Sequence, residues 1–331
     1  MKVLVTGGSG FVGGRLVRRL AEQGFAVRAT HRRENLTPIA GVEWWPLPAL
    51  DDEPRLAESV AGCDAVVHLA GLAHQPGGAA NRAAEFRRIN TEGTRLLARA
   101  AVRGDVRRFV FVSSIAAVCT RSDTPVDDWT PSAPTDPYGC SKFEAEQALV
   151  GELKDSSTDW CILRPPLVYG PGNPGNMRRL IRIMESGLPL PFGSIRNRRS
   201  FMFVDNLVDA IVCVLRHEGA VRSTYVLSDG NDFSTPELVS TLAAAAGYRV
   251  RLLAMPVFAL MVLGRAGDAV HALLGRSAGI DSTAIDRLVG SLPVDGSRFR
   301  HVFDWNPPVD PDHAFQQMGR ALLKARQSSP D

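Results

Sequence analysis

KVLVTGGSGFVGGRLVRRL (residues 2–20) combines a strand pattern, a glycine-rich turn and a helix pattern in one short stretch. Residues 2–6 are apolar and rich in β-branched side chains, as in a buried strand. After the glycines, Leu16, Val17 and Leu20 recur at helical spacing. The order of strand, tight turn and helix predicts the first step of an α/β fold.

The same alternation continues along the chain. Further strand patterns occupy residues 26–30, 63–71, 107–114 and 160–165, and helix patterns occupy residues 90–102 and the segment from Tyr138. Buried strands that alternate with amphipathic helices are typical of a doubly wound parallel sheet. We therefore predict an α/β protein whose main domain is a doubly wound, parallel-sheet Rossmann domain.

The composition of the sequence changes after Pro165. Residues 165–176 read PPLVYGPGNPGN and are rich in residues that favour loops. We predict the Rossmann domain over residues 1–165 and a smaller, mostly C-terminal α/β domain over residues 166–331. Segments near residues 200–230 are expected to return to the first domain.

The glycine turn TGGSGFVG predicts a dinucleotide site. Gly7 permits a turn that a side chain would obstruct, Gly10 lets the backbone approach a pyrophosphate, and Gly13 allows close packing of the helix. The helix N-terminus, which includes Phe11 and Val12, attracts the anion. A lone glycine pattern is weak evidence, but here it stands in the required strand–turn–helix context.

The end of the second strand indicates which dinucleotide binds. NAD-specific sites usually have an acidic residue there for the ribose 2′-hydroxyl, whereas this chain has His31, Arg32 and Arg33. Guanidinium groups suit the 2′-phosphate of NADP, although both arginines could simply point into water. We expect NADP(H), with NAD(H) as the alternative.

Composition limits the other classes of function. The chain has 331 residues, 45% of them hydrophobic, with a net charge of +3 and acids and bases mixed along it, so nucleic acid is not expected as a partner. Its five cysteines lack metal-ligand spacing, which predicts no metal site and reduced thiols in cytoplasm. No signal peptide is expected at the start of the sequence. The apolar stretch 252–263 is too short to span a membrane and is either a packed helix or an interfacial one.

Tyr138 and Lys142 stand four residues apart at a predicted helix start, where Asp136 is a good N-cap and Pro137 fits the first helical position. This spacing places the phenol and the ammonium group on one face of the helix. A nearby cation lowers the pKa of a tyrosine toward the working range of an acid–base catalyst. The spacing also arises by chance, so the rest of the sequence must decide.

Several motifs together resemble the extended branch of the short-chain dehydrogenase/reductase superfamily, which contains nucleotide-sugar epimerases, dehydratases and reductases. They are TGGSGFVG, HLAG (68–71), NTEGT (90–94), FVSS (111–114), YGCSK (138–142), RPPLVYGPG (164–172) and RRSFMFVDNLVDAI (198–211). The resemblance covers nearly the whole chain and makes residues 166–331 mainly a nucleotide-sugar-binding domain.

The resemblance implies that Ser114 holds the reacting oxygen, Tyr138 transfers a proton, and Lys142 lowers the tyrosine pKa and holds the nicotinamide ribose. Ser113 is the nearest competitor for the serine role. Further cofactor contacts are implied for Leu69, Ala70, Gly71, Asn90 and Pro165.

For the substrate, the resemblance implies that Arg199 and Asn176 contact the diphosphate and that Phe192 forms a wall for the uracil ring. A surface arginine, a loop-capping asparagine and a core phenylalanine are the plain alternatives. His74 is expected either to touch the sugar or to be a polar loop residue.

Departures from the family pattern narrow the expected reaction. Ile115 and Ala116 replace the Asp–Glu pair of the 4,6-dehydratases, so dehydration is not expected. The acidic residue and the lysine that UDP-galactose 4-epimerases usually have are replaced by His31 and Ala73. We expect a cytoplasmic, homodimeric NAD(P)H-dependent 4-reductase for a UDP-linked 4-keto-6-deoxy-N-acetylhexosamine, used in surface polysaccharide synthesis, since the chain most resembles reductases of UDP-4-keto-6-deoxy-N-acetylglucosamine. A UDP-hexose 4-epimerase with tightly bound NAD is the alternative, and a non-catalytic NADP(H)-binding protein is the third.

Overall fold

The computed structural model describes residues 1–32, 38–72, 82–173, 176–274 and 282–327. The strands are β1 (Lys2–Thr6), β2 (Ala26–His31), β3 (Val42–Pro46), β4 (Ala65–His68), β5 (Arg108–Val112), β6 (Asp159–Arg164), β7 (Leu167–Tyr169), β8 (Arg199–Phe203), β9 (Arg222–Val226) and β10 (Asp232–Phe233). The helices are α1 (Phe11–Glu22), α2 (Glu53–Val60), α3 (Ala83–Phe86), α4 (Gly93–Arg103), α5 (Pro137–Leu153), α6 (Asn176–Glu185), α7 (Val204–Arg216), α8 (Thr235–Ala245), α9 (Val257–Leu274), α10 (Ser282–Val289), α11 (Ser297–Phe303) and α12 (Pro311–Gln327).

Seven strands form one sheet in the order β3-β2-β1-β4-β5-β6-β9, and every neighbouring pair is parallel. The order reverses direction between β1 and β4, so the loops that follow these two strands open a crevice at the carboxyl edge of the sheet. This confirms the prediction of a doubly wound, parallel Rossmann fold.

The central strands are buried on both faces, because helices cover each side of the sheet. β4 is buried along its whole length, and β1 from Val3 to Thr6. On one side Leu16 and Val17 of α1 pack with α7, and on the other Leu97 of α4 packs with α5. The apolar helix faces therefore hold the sheet, and with it the loops at its carboxyl edge, in a fixed position.

The later half of the chain adds a small sheet, β10-β8-β7, in which β7 and β8 are parallel and β8 and β10 antiparallel. A separate apolar cluster joins this sheet to α6, α8 and α12. β9 returns to the large sheet and pairs with β6. The division of the chain into domains at residue 165 stays a prediction.

The apolar stretch 252–263 contributes the start of α9. Leu260 is buried, whereas Phe258 is 76% exposed. None of the helices within the described ranges is both long and apolar enough to cross a membrane.

Candidate active site

The glycine turn connects β1 to α1 in the crevice. Gly7 has φ +71°, and a β-carbon built on it would lie 2.9 Å from the backbone nitrogen of Ala70. A β-carbon on Gly13 would lie 2.1 Å from the carbonyl oxygen of Gly7. A β-carbon on Gly10 would meet only the Gly7 oxygen, at 3.1 Å. The close backbone contacts at Gly7 and Gly13 therefore require residues without side chains, while the approach of Gly10 to a pyrophosphate stays a prediction.

The N-terminus of α1 fits a pyrophosphate. Its N-cap residue, Gly10, provides no side-chain cap, and the first turn, which begins with Phe11 and Val12, contains no acidic residue. The first N–H groups of the helix and its dipole are thus free of an internal anion, which is the arrangement that binds phosphate. These residues fit a dinucleotide, whose nicotinamide would supply the hydride chemistry.

The strand ends around this turn are joined by threonine hydroxyls. The Thr30 hydroxyl accepts a hydrogen bond from the N–H of Gly7 at 3.1 Å. The Thr6 hydroxyl accepts from the N–H groups of Leu69 and Ala70, both at 3.2 Å. The predicted contacts Leu69 and Ala70 thus border the glycine turn directly, whereas Gly71 lies against Asn90.

At the end of β2, His31 lies edge-on to the Trp44 ring, and Arg32 is exposed. Neither β2 nor the residue that follows it, Arg32, provides a carboxylate side chain. Arg33 lies outside the described residues. The preference between NADP(H) and NAD(H) therefore stays a prediction.

Ser114 and Tyr138 lie close together after β5, near enough for the Ser114 hydroxyl to lower the pKa of the Tyr138 phenol. Ser114 caps a 3₁₀ turn, Ile115–Ala117, and Asp136 caps α5 through the N–H groups of Tyr138 and Gly139. A β-carbon on Gly139 would lie 2.3 Å from the Ala116 carbonyl oxygen. Because Gly139 lacks a side chain, the start of α5 reaches this turn and brings the two hydroxyls together.

Burial raises the pKa of Tyr138, and the nearby Ser114 hydroxyl opposes this effect only in part. No interaction with Lys142 contributes to the pKa of Tyr138 in this structure, so the lowering of the tyrosine pKa by the lysine stays a prediction. The phenol is therefore protonated at neutral pH. That is the form that an acid catalyst requires.

Lys142 is buried one helical turn after Tyr138 on α5. Its ammonium group donates to the Val112 carbonyl oxygen at 2.9 Å and lies 4.2 Å from the centroid of the Phe111 ring. Burial lowers the pKa of Lys142 to about 7, and the Glu146 carboxylate opposes this shift. The lysine thus loses its charge near neutral pH, which makes it sensitive to a bound group.

His68 was not assigned a role from the sequence, yet it lies completely buried next to the site. Its ring is hydrogen-bonded to the hydroxyls of Thr6 at 2.7 Å and Thr94 at 3.1 Å, and it stacks on Phe111. Burial, followed by repulsion from Lys142, lowers the pKa of His68 to about 3. A neutral histidine therefore connects β1, β4 and the helix that contains Thr94. A polar residue inside an apolar strand was the signal that could have identified it.

Asn90 connects the crevice to α5. Its amide oxygen accepts from the N–H of Leu72 at 2.7 Å, and its amide nitrogen donates to the Ser141 hydroxyl at 2.9 Å. These bonds hold the loop after β4 against the residue next to Lys142, which is a positioning role. Direct contact between Asn90 and a cofactor stays a prediction.

A buried ion pair lies close to Lys142. The Arg164 guanidinium binds the Glu146 carboxylate at 2.6 Å and 3.0 Å, and both side chains are less than 10% exposed. Glu146 is one helical turn from Lys142 on α5. Pro165, which follows Arg164, accepts a hydrogen bond from the N–H of Ile115. This pairing was not predicted, because the two charges are held together by the packing of α5 on β6.

Arg199 lies at the start of β8, where it donates to the carbonyl oxygens of Arg287 at 3.1 Å and Gly290 at 2.9 Å. It makes no ion pair with a described residue. Burial lowers the pKa of Arg199 to about 10, and the Arg287 charge adds to this effect. Two guanidinium groups close together in a partly buried place are suited to an anion. Arg287 was missed in the sequence, where it stands 88 residues from Arg199.

The other predicted substrate contacts are less defined. Phe192 is only 6% exposed and belongs to the apolar cluster around β7 and β8. Asn176 begins α6, but its side chain lies outside the described part of the structure, as does the whole of His74. Their contacts with a substrate stay predictions.

Comparisons with known families and proteins show what this chain is similar to. The profile of the NAD dependent epimerase/dehydratase family matches residues 3–228. A UDP-glucose 4-epimerase of Vibrio cholerae is 35% identical over 327 residues, 98% of this chain and 96% of that protein.

A second relative is the N-acetyl-alpha-D-glucosaminyl-diphospho-ditrans,octacis-undecaprenol 4-epimerase of Escherichia coli O157:H7. It is 25% identical over 303 residues, 89% of this chain and 88% of that protein. In fold, the chain is similar to a short-chain dehydrogenase/reductase superfamily protein of Agrobacterium tumefaciens solved with bound NAD. The TM-score is 0.76 at 21% identity, over 99% of this chain and 100% of that one.

The family profile covers β1 to β9, and so includes the glycine turn, the hydroxyl pair and Lys142. With the Vibrio cholerae relative matching almost end to end, family membership rests on the whole chain and not on single motifs. The chain belongs to the NAD dependent epimerase/dehydratase family, the enzymes of the extended short-chain dehydrogenase/reductase branch.

Proposed function

We propose that the protein is an NAD(P)H-dependent 4-ketoreductase for a UDP-linked 4-keto-6-deoxy-N-acetylhexosamine, a precursor of surface polysaccharide. The observation that carries the proposal is the proximity of Ser114 and Tyr138, with Lys142 one helical turn further along α5. The pair lies at the same sheet edge as the glycine turn. This arrangement supports proton transfer to a sugar oxygen beside a nicotinamide.

The proposed chemistry divides between the cofactor and the chain. When bound, NAD(P)H would supply the hydride chemistry at C4 of the sugar. Tyr138 donates its phenolic proton to O4, and Ser114 holds that oxygen by a hydrogen bond. We propose that Lys142 holds the nicotinamide ribose and that its charge stabilises the remaining phenolate only once the cofactor is bound, since it does not act on Tyr138 in this structure. The tyrosine regains its proton from solvent before the next turnover.

Arg199 and Arg287 are proposed to hold the diphosphate of the substrate, with Asn176 as a further contact, Phe192 beside the uracil and His74 near the sugar. The uncompensated positive charge at Arg199 supports this assignment. The names of the Vibrio cholerae and Escherichia coli relatives describe 4-epimerases of different compounds, both of which contain a hexose on a diphosphate. The diphosphate is therefore the substrate feature with the most support.

We favour reduction over epimerisation because of the residues at the end of β2. His31 and Arg32 stand where an NAD-specific site has a carboxylate, which favours NADPH, a reductant that is consumed and exchanged. UDP-hexose 4-epimerisation is the second candidate, and the Vibrio cholerae relative favours it. An epimerase would use the same hydroxyl pair but would keep its cofactor and return the hydride to the other face of the sugar.

The test follows absorbance at 340 nm with NADPH or NADH and UDP-4-keto-6-deoxy-N-acetylglucosamine, for the wild type and Tyr138→Phe. Oxidation of the cofactor that requires both the keto sugar and Tyr138 is expected. If UDP-glucose or UDP-N-acetylglucosamine is instead converted to its C4 epimer without added reductant, the protein is the epimerase. Binding of the cofactor without turnover of either kind of substrate would show that the protein is a non-catalytic NADP(H)-binding protein.

A homodimer in the cytoplasm is part of the proposal. α4 and α5, the candidate dimer faces, pack side by side and are joined by the Arg99–Glu152 ion pair. Light scattering of the purified protein measures the number of copies directly.

A further inference from the structure

We propose that the outward face of α9 docks the protein reversibly on an anionic lipid bilayer. The apolar part of this surface, called the α9 surface below, consists of Leu253, Phe258, Met261, Val262 and Leu263. Arg249 and Arg251 flank it on one side, and Arg265 on the other.

The α9 surface concentrates the exposed apolar side chains of the described protein. These five residues are between 41% and 76% exposed, and they make up half of the ten large apolar side chains that are exposed within the described ranges. Leu188, 65% exposed, lies next to them, because Leu190 is hydrogen-bonded through its backbone to Arg251 and Leu253. Exposed apolar side chains grouped in this way mark an interaction site.

The helix is amphipathic with its apolar side turned outward. Phe258, Met261, Val262 and Arg265 have the i, i+3, i+4, i+7 spacing of one helix face, and all four are exposed. Leu260, Gly264 and Gly267, on the opposite side, are buried. The inner face of the helix thus already packs on the protein core. The outer apolar face remains available to contact another apolar phase.

The charge around the surface favours lipid headgroups. Residues 249–265 contain three arginines and no acidic residue, whereas Asp268 and Asp286 line a pocket together with Arg265 and Met261. Arg249, Arg251 and Arg265 are exposed and make no ion pair with a described residue. Basic side chains beside an exposed apolar helix face are the arrangement that binds an anionic membrane surface.

The composition of the surface argues for lipid over a protein partner. Residues 252–264 include no polar side chain. A specific protein interface of ordinary size has about one hydrogen bond per 100–200 Å², which this stretch cannot provide from its side chains. α9 is not both long and apolar enough to span the bilayer, because Arg265 and Asp268 interrupt its apolar sequence, so it would lie in the interface.

The test is co-sedimentation of the full chain with vesicles of phosphatidylcholine alone or mixed with phosphatidylglycerol, without substrate or cofactor. Binding is expected only with the anionic vesicles and is expected to weaken with salt. Each of Arg251→Gln and Arg265→Gln should lower the partition coefficient about fivefold. Phe258→Ser/Val262→Ser should abolish binding, while Val302→Ser/Leu323→Ser, which also removes two exposed apolar side chains, should not.

Two results would overturn the proposal. One is sedimentation with anionic vesicles that equals the vesicle-free control, or that is the same in Phe258→Ser/Val262→Ser and in the wild type. The other is a fall in mass by light scattering in that variant, which would show that the surface joins two copies of the chain. Activity at 340 nm, or circular dichroism if no activity is found, reports whether each variant is folded, so failure here is separate from failure of the proposed reaction.

Discussion

A β-carbon built on Gly139 would lie 2.3 Å from the carbonyl oxygen of Ala116. Gly139→Ala is therefore expected to push α5 away from the 3₁₀ turn and to separate Tyr138 from Ser114. The expected result is a large loss of kcat in the 340 nm assay, since a misplacement of about 1 Å costs about 100-fold.

Gly151→Ala is the matched control, because a β-carbon there has no neighbour within 4 Å on the same helix. It should keep full activity and raise the free energy of unfolding by up to about 1 kcal/mol through helix propensity. Equal activity in the two variants would mean that the approach of α5 to residues 115–117 does not position the hydroxyls.

The pH dependence of reduction should follow Lys142. Because the pKa of this lysine is lowered to about 7, its charge is lost as pH rises through that value, while the raised pKa of Tyr138 keeps the phenol protonated. We expect kcat/KM to fall above about pH 7 in the wild type. In Lys142→Arg, whose guanidinium stays charged, any remaining activity should lack this descending limb. A limb at the same pH in both proteins would assign the titration to another group.

The buried pair of Glu146 and Arg164 should be sensitive to the loss of one partner. Glu146→Ala leaves a buried guanidinium without its counter-ion, which should cost about 3–5 kcal/mol in urea unfolding. Glu144→Ala, in the exposed Arg87–Glu144 pair, should cost far less because water screens those charges. The double variant Glu146→Met/Arg164→Leu should regain most of the stability. If it is no more stable than Glu146→Ala, desolvation of the single charge is not the main cost.

His68 should make stability depend on pH in the acid range. Its pKa is about 3 when folded and about 6.5 when exposed, so the unfolded chain binds one more proton between these values. From this residue, the free energy of unfolding should fall by about 1.4 kcal/mol per pH unit as pH decreases from 6.5 toward 3. The His68→Gln variant, whose new side chain does not titrate, should be less stable than the wild type at pH 7. Its free energy of unfolding should depend less steeply on pH. Parallel curves for the two proteins would refute the assignment.

Arg32 should affect the choice of cofactor. Arg32→Asp removes a guanidinium that would pair with the 2′-phosphate, so kcat/KM with NADPH should drop about tenfold to 100-fold relative to NADH. Arg18→Asp, the same charge change at an exposed position of α1, should leave the ratio unchanged. A wild-type preference for NADH, unaltered by Arg32→Asp, would show that this arginine points into water.

The sequence predicted those features that depend on neighbours along the chain. The alternation of strands and helices, the close packing of Gly7 and Gly13, and the joint placement of Tyr138 and Lys142 on α5 all follow from local spacing. Contacts between distant segments were not predictable, because each partner has an ordinary local context. Arg287 is one example, since only folding brings it to Arg199.

Lys142 shows a different limit. Its helix position was predicted, but its side chain turns to Val112 and Phe111 because burial favours the nearest backbone acceptor and an aromatic face. Which partner a buried cation selects depends on atoms from β5, and helical spacing contains no information on them.

The return of β9 to the large sheet affects how the protein is made. β6 ends at Arg164, but its outer neighbour begins only at Arg222. During synthesis the nascent chain must therefore extend almost sixty residues further before the hydrogen-bonding edge of β6 is covered, and an uncovered edge invites pairing with other chains. A gene truncated after residue 165 should give aggregated protein, whereas one that extends through residue 327 should not. Early stop codons and slow translation between these points would then limit yield, even where the remaining sequence is unchanged.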